Sequence, residues 1–268
     1  MNKATRAIEG PLEPTLAQNT SIKLIGLGGV GGIVARYLSL FLASLNRTSR
    51  LVLIDGDSFE PSNASRMFFV EHSNKATAIR KELLPQLSES FLSLVAIPEY
   101  VTATNIARFI HDGDVVILAV DNHATRKLVS DFCRTLEEVC LISGGNDGVG
   151  LDTSNRMTRG TYGNCQIYIR LGGQDLSPFL TRYHSEIREP ADRHPAENSC
   201  TEMVQYVPQI LFTNLTAASA ILNTFWLFSC GALHYSELVF DTADGLMRPM
   251  PLPPPDLGRV TRKNDVAE

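Results

Sequence analysis

The feature that most limits the folds open to this chain is the glycine-rich junction Gly26-Leu27-Gly28-Gly29-Val30-Gly31-Gly32. It comes after a short apolar run, 21–26 (SIKLIG), and leads straight into 30–45 (VGGIVARYLSLFLASL). Apolar residues there occupy most of a helical circumference, as in a helix that covers a sheet. Residues 50–55 (RLVLID) read as a second buried strand. Residues 74–87 read as an amphipathic helix that Pro85 bends or ends. Residues 94–100 and 114–120 (DVVILAV) read as strands, 124–139 as a helix, and 140–143 as another short strand. Strands alternating with helices predict an α/β, Rossmann-like fold, with a mostly parallel sheet and helices on both faces. The strands are continuously apolar, which is the pattern of a sheet buried on both sides.

The rhythm changes after about residue 150. Residues 161–170 (TYGNCQIYIR) alternate and predict an antiparallel strand, 237–241 a last strand, so the C-terminal half should add antiparallel strands to the sheet. Between them lies a polar crossover loop, about 171–199, longer than ordinary connections and therefore a candidate functional segment. No Asp, Glu, Lys or Arg occurs from Met203 to Ser236. A membrane span needs only about 20 such residues. However, Gln205, Pro208, Gln209, Asn214, Asn223 and several threonines interrupt the stretch, and each is costly in lipid. A helix over 204–233, buried centrally or facing a second copy of the chain, fits better. The expected organisation is an N-terminal arm (1–20), one domain (21–248, with its nucleotide-binding half about 21–150) and a Pro-rich, charged tail (249–268) expected to be disordered.

The glycine junction carries chemistry as well as shape. Gly26, Gly28 and Gly31 fit G-x-G-x-x-G between a strand and a helix, where glycines let the backbone approach a ligand and the helix N-terminus offers N–H groups to a phosphate. Asp55, ending the second strand, is placed to accept from ribose hydroxyls. The residues beyond Asp55 narrow the nucleotide. The run Asp55-Gly-Asp57-Ser-Phe-Glu-Pro-Ser-Asn63-Ala-Ser-Arg66, then Lys75 at a helix start and Asp121-Asn122 with Arg126, places cations and a carboxylate on the same sheet edge. Arg and Lys beside the loop suit a triphosphate, whose leaving group gains charge during transfer. A lone carboxylate such as Asp121 suits Mg²⁺ held jointly with phosphate oxygens.

Gly-x-Gly-Gly-Val-Gly-Gly, IDGDSFEPSNASR, the Lys75 helix start and VDNHATR resemble, in this order, the ThiF/MoeB/E1 family of ubiquitin-like-protein activating enzymes. The similarity is close over 22–140 and looser to about 241. It implies an ATP-dependent adenylyltransferase that activates the C-terminal carboxylate of a small β-grasp protein ending in glycine. Carried over by position, Gly26, Gly28, Gly29 and Gly31 would lie against ATP with Asp57 nearby, and Asp55 would hold the ribose. Asn63, Arg66 and Lys75 would contact the phosphates, and Asp121 would bind Mg²⁺. Arg66, Lys75 and Asp121 would thus carry the first step. Cys200, in Asn198-Ser199-Cys200-Thr201, stands where ThiF-like members carry a cysteine before a helix. There it would form a thioester or pass on sulfur, since helix N-termini favour the thiolate; packing as a small apolar residue is the competing reading. Cys133, Cys140, Cys165 and Cys230 sit in apolar patterns and are expected in the core.

Departures from the family pattern matter too. Its Asn-Leu-x-Arg-Gln is Asn63-Ala-Ser-Arg66-Met67 here, and the two C-x-x-C pairs that hold zinc in many relatives are missing, so no structural zinc is expected. Relatives use an arginine from a partner's N-terminal segment, and the match around Arg6 is too poor to assign it that part. The zinc-less form and the 268-residue length resemble the ThiF-like member of the bacterial ParB-related, ThiF-related cassette. His184 and His194, without sulfur partners at ligand spacing, read as surface histidines. The scattered cysteines, the absence of a secretory pattern and the net charge of −5 imply a cytoplasmic protein that is no dedicated nucleic-acid binder. A homodimer is expected. Two other classes use the same loop: an NAD-linked oxidoreductase, which leaves Arg66, Lys75 and Asp121 without a task, and a non-catalytic nucleotide-binding scaffold.

Overall fold

The computed structural model describes residues 11–60, 67, 71–151, 156–197 and 208–251. Along the chain these form β1 (Thr20–Ile25), α1 (Gly31–Ser44), β2 (Ser49–Ile54), α2 (Lys75–Leu83), β3 (Leu92–Ile97), the single turn α3 (Ile106–Phe109), β4 (Asp114–Leu118), α4 (His123–Cys133) and β5 (Val139–Asn146). Next come β6 (Val149–Leu151), β7 (Met157–Arg159), β8 (Tyr162–Leu171), β9 (Gln174–Asp175), the short α5 (Ser185–Arg188), α6 (Leu211–Ser229), β10 (Tyr235–Asp241) and β11 (Leu246–Pro251).

One sheet runs β11-β10-β8-β5-β4-β1-β2-β3, with β9 paired to the end of β8, while β6 and β7 form a separate hairpin. From β3 to β5 every pairing is parallel. From β5 outward through β8, β10 and β11 every pairing is antiparallel. The apolar runs in the parallel strands are explained by two cores. Ile22, Leu24, Leu51, Leu53, Ile117 and Ile142 pack on one face with α1, α2 and α6. Ile25, Val52, Ile54, Val116, Leu118 and Leu141 pack on the other with α3, α4 and Ile187 of α5. Each such buried side chain contributes about 2 kcal/mol relative to exposure, so neither face has room for a polar alternation.

Three expectations are corrected in detail. The uncharged helix is not 204–233: α6 starts at Leu211, after Pro208, and stops at Ser229, just before Gly231 in the left-handed region (φ 64°). The fourth helix ends at Cys133 rather than 139, because the backbone N–H groups of Glu137 and Glu138 turn to the Asp112 carboxylate (2.7 and 3.1 Å). The strand at 237–241 is not the last one: β11 extends ordered chain to Pro251, inside the segment read as a disordered tail. Its prolines are tolerated because β11 lies at the sheet edge, exposed at every residue. By length and composition α6 is the one described helix able to cross a membrane, yet Thr213, Asn214, Ala217, Ile221, Thr224 and Phe225 are buried, and the helix packs on β5, β8 and α1.

Candidate nucleotide-binding site

Strand order 3-2-1-4 reverses direction of progress at β1, so the carboxyl ends of β1 and β4 leave a crevice between their loops. An open cleft of about 900 Å³ lies there. It is lined by Gly26, Gly28 and Gly29 after β1, Asp55 and Asp57 after β2, Tyr100 after β3, Asp121 and Asn122 after β4, Asn146 at the end of β5, and Lys75 at the start of α2.

The glycine turn is built for close approach. Gly26 adopts φ +85°, a conformation L side chains rarely adopt, and a Cβ on Gly31 would lie 1.9 Å from the Gly26 carbonyl oxygen. At Gly28 a Cβ would meet nothing within 4 Å, which leaves that position open to the cleft. Among the described residues no side chain caps the N-terminus of α1.

Asp55 organises the β2 side. Its carboxylate accepts from the backbone N–H groups of Leu27 (2.6 Å) and Asp57 (2.8 Å), tying the glycine turn to the end of β2. Burial pushes this carboxyl up to about 6, with the Asp57 charge adding to that, against the opposing pull of the Lys75 ammonium and the two N–H groups. Lys75 is itself buried and reaches Asp57 with its ammonium at 2.8 Å. Burial raises Asp57 as well, but the Lys75 charge and hydrogen bonds from Lys75 and Tyr100 hold it below the usual carboxylate range. Burial, and after it the hydrogen bond and charge of Asp57, push the Tyr100 phenol above its ordinary value. Asn74 caps α2 by accepting from the Thr77 N–H and donates to the carbonyls of Asp55 and Asp57, so the acidic segment and the Lys75 helix move as one piece.

The β4 side is different. Asp121 is exposed and makes no hydrogen bond or ion pair among the described residues. The cap of α4 is its neighbour Asn122, which accepts from Thr125. Arg126, grouped by sequence with the phosphate-contacting cations, is instead buried and donates to the carbonyls of Val120 and Gly144 and to the Ser143 hydroxyl. Burial lowers its guanidinium, and the Asp121 charge opposes that shift. Arg126 therefore fixes the turn that presents Asp121.

The structure thus brings Gly26, Gly28, Gly29, Asp55, Asp57, Lys75 and Asp121 around one cleft, with Gly31 packed directly behind the turn. Asn63, Arg66 and Cys200 lie outside the described residues. Cys133, Cys140 and Cys165 are buried, but Cys230, at the end of α6, is only half-buried. Burial raises the three core thiols far above the reactive range. Among the described residues no group of three or more His, Cys, Asp or Glu is arranged to hold a metal. The expectation of surface histidines fails for His194 and holds only in part for His184, which is half-buried. His194 is buried and lines the cleft, and His184 lies between Glu186 (2.9 Å) and Glu237 (3.2 Å). Sequence reasoning also missed Tyr100, Asn146 and Gln209 as lining residues. The strand-end rule could have found Tyr100 and Asn146, whereas nothing local marks His194 or Gln209.

Among proteins of known kind, the adenylyltransferase and sulfurtransferase MOCS3 of Dictyostelium discoideum is 36% identical over 129 residues, covering 47% of this chain and 29% of that protein. The MOCS3 of Drosophila ananassae is 31% identical over 155 residues, 56% of this chain and 32% of that protein. The SAMP-activating enzyme E1 of Haloferax volcanii is 27% identical over 133 residues, 47% of this chain and 45% of that protein. The chain thus spans less than half the length of each of these relatives. In fold it resembles E. coli MccB solved with ATP (TM-score 0.61, 16% identity, 88% of this chain and 64% of that one) and PaaA (TM-score 0.59, 16% identity, 87% and 64%). The ThiF family model matches residues 10–236, and the chain belongs to the ThiF family.

Proposed function

We propose that this chain adenylates the C-terminal carboxylate of a small ubiquitin-like or ThiS-like protein at the expense of ATP. The observation that carries the reading is the convergence of the open glycine turn, the buried Asp55, Lys75 and the exposed Asp121 on one cleft. The ribose hydroxyls donate to Asp55, which keeps lone pairs free beyond the two it gives to backbone N–H groups. The phosphates lie along the glycine turn and the N-terminus of α1. Lys75 supplies positive charge, exchanging its Asp57 contact for a phosphate oxygen, with Arg66 as a second cation. The incoming carboxylate attacks the α-phosphorus in line and pyrophosphate leaves; the chain contributes alignment and fixed countercharge. A Mg²⁺ ion fits Asp121, an exposed carboxylate with no competing partner among the described residues, completed by phosphate oxygens, and it would supply countercharge to the leaving pyrophosphate. In a second step the Cys200 thiolate would attack the acyl-adenylate carbonyl, giving a thioester and AMP, or take part in sulfur transfer.

We place a second copy of the chain on the face shared by α1 and α6, where Tyr37, Leu40, Leu211, Phe212 and Leu215 are exposed; Phe212 is 73% exposed. Light scattering tests that dimer.

ATP–pyrophosphate exchange in the presence of a small protein ending in Gly-Gly tests the first step. Lys75→Ala and Asp121→Ala should each slow exchange by about 10²–10³-fold, the usual cost of removing one transition-state contact. Loss of the exposed Asp121 should leave the thermal transition unchanged, whereas loss of the buried Lys75 should also lower it, because Asp57 is left without its ion pair. Exchange that survives both substitutions would remove the proposal. Binding of NADH in place of ATP would point to the oxidoreductase class, and ATP binding without exchange to a scaffold.

A further inference from the structure

The β5 side of the cleft carries two buried polar atoms that the chemistry above does not use. His194 is 9% exposed and lines the cleft. The Ala196 N–H donates to its Nδ1 at 3.2 Å, so the neutral imidazole carries its proton on Nε2. That Nε2 is buried and has no partner among the described residues. Asn146, at the end of β5, donates from Nδ2 to the Asp147 carbonyl at 3.2 Å, which leaves its Oδ1 as the free acceptor. This oxygen too is buried and unpartnered among the described residues. Buried polar atoms are nearly always paired. Here one donor and one acceptor stand unpaired among the described residues, on side chains lining the same cleft, and a peptide unit, with its C=O and N–H, is their complement.

Position assigns the two to the acyl partner rather than to the nucleotide. The sheet runs β2-β1-β4-β5, and strands lie about 4.8 Å apart, which puts the end of β5 about 14 Å from Asp55 at the end of β2. Asp55, Lys75 and the glycine turn lie on the β2–β1 side and Asp121 follows β4, so the sugar and phosphates are accounted for short of β5. His194 is also held firmly. The neighbouring Asp192 carboxylate accepts from the backbone N–H groups of His123 (2.7 Å) and Ala124 (2.9 Å), and Asn122 donates to the Arg193 carbonyl at 2.6 Å. The segment bearing His194 is thereby fastened to the first turn of α4, immediately after Asp121.

We infer that His194 and Asn146 bind a peptide group near the C-terminus of the acyl partner, His194 donating to its carbonyl and Asn146 accepting its N–H. This rests on the adenylation reading. The probes are 5′-O-sulfamoyladenosine and the same molecule acylated on its sulfamate nitrogen by Gly-Gly, a stable mimic of the acyl-adenylate, compared by calorimetry. The Gly-Gly extension should tighten binding to the wild-type chain about tenfold, the worth of two modest hydrogen bonds. His194→Ala and Asn146→Ala should each lose most of that gain while binding unacylated sulfamoyladenosine as before. His194→Gln, whose side-chain amide donates, should recover part of it, which separates a lost contact from a collapsed segment. Equal gains in wild type and variants would overturn the inference, as would no gain in a wild type that binds the unacylated nucleoside. Failure of sulfamoyladenosine itself to bind would overturn the adenylation reading, and this inference with it.

Discussion

The two halves of the sheet build the cleft by different means. On the parallel side, from β3 to β4, the groups that face the ligand sit within a few residues of a strand end, and backbone bonds between neighbouring strand ends hold them: Gly26 N–H to Ile54, Asp55 N–H to Ile97, Ala119 N–H to Ile25. Beyond β4, Asn146 still sits at a strand end, but His194 is far in sequence from every strand end and is held by side-chain clasps at Asp192, His184 and Asn122. The first construction is continuous with both cores and should fail only with the whole molecule. The second is anchored in one core by Leu180 and Ile187 and holds His194 through polar contacts, so it should open before the sheet does, since local openings favour regions of low buried contact.

The sharpest way to break that contrast is Gly31→Ala. The added methyl would sit 1.9 Å from the Gly26 carbonyl oxygen, a backbone atom that cannot swing away as a side chain would. Relief requires moving the turn, and with it the Leu27 N–H that Asp55 holds. We expect a loss of about 3 kcal/mol in urea unfolding, the upper range for overpacking, and no measurable nucleotide binding. Gly28→Ala, with open space at the same turn, should leave stability nearly unchanged and weaken only the nucleotide. If the two variants behaved alike, the turn would not be the rigid element described.

Asp55 sharpens the contrast through pH. Its carboxyl titrates near 6 in the fold and near 3.8 when the chain is unfolded. The folded value is the higher one, so the stability this group contributes is complete below pH 3.8 and is lost as pH rises to about 6. At 1.36 kcal/mol per pK unit the loss approaches about 3 kcal/mol. Nucleotide binding takes the opposite sign, because ribose hydroxyls donate to the ionised carboxylate. ATP affinity should therefore rise as pH passes through 6, while the free protein becomes easier to unfold. Calorimetric titrations and urea melts at pH 4.5 and 7.5 read both, and in Asp55→Asn both slopes should flatten.

The same division explains what could be read from the residues alone. The order of motifs from Gly26 to Asp121 is local: each strand announces itself by a continuous apolar run, and each functional side chain sits just beyond one. That suffices for the fold class and for the cleft residues near β1, β2 and β4. Arg126 misled because a cation near a glycine loop reads the same whether it points to phosphate or, as here, into the carbonyls of Val120 and Gly144. The edge strand β11 was hidden because its prolines read as breakers, and only position at an edge makes them harmless. His194 had no local signal: its burial comes from Asp192 reaching helix α4 across 69 residues of sequence.

The smallest effect, and the one that isolates the antiparallel side, is the His184 latch. His184 lies just before α5 between Glu186 and Glu237, with Asn164 of β8 donating to Glu237 at 2.7 Å. Burial alone would lower this imidazole, but hydrogen bonds to the two carboxylates outweigh it and leave it above its ordinary 6.5. A raised histidine holds its stabilisation below pH 6.5 and loses it as pH climbs through the folded value. The expectation is that amides of residues 176–197 exchange faster with deuterium once corrected for intrinsic rate, by roughly fivefold between pH 6 and 8.5, the weight of a partly exposed ion pair of about 1 kcal/mol. Amides of β1 and β4 should show no such change, and His184→Gln should remove the pH dependence in 176–197. A rise shared by both regions would mean that the crossover segment opens only with the whole sheet, and the separation between the two halves would then be architectural without being energetic.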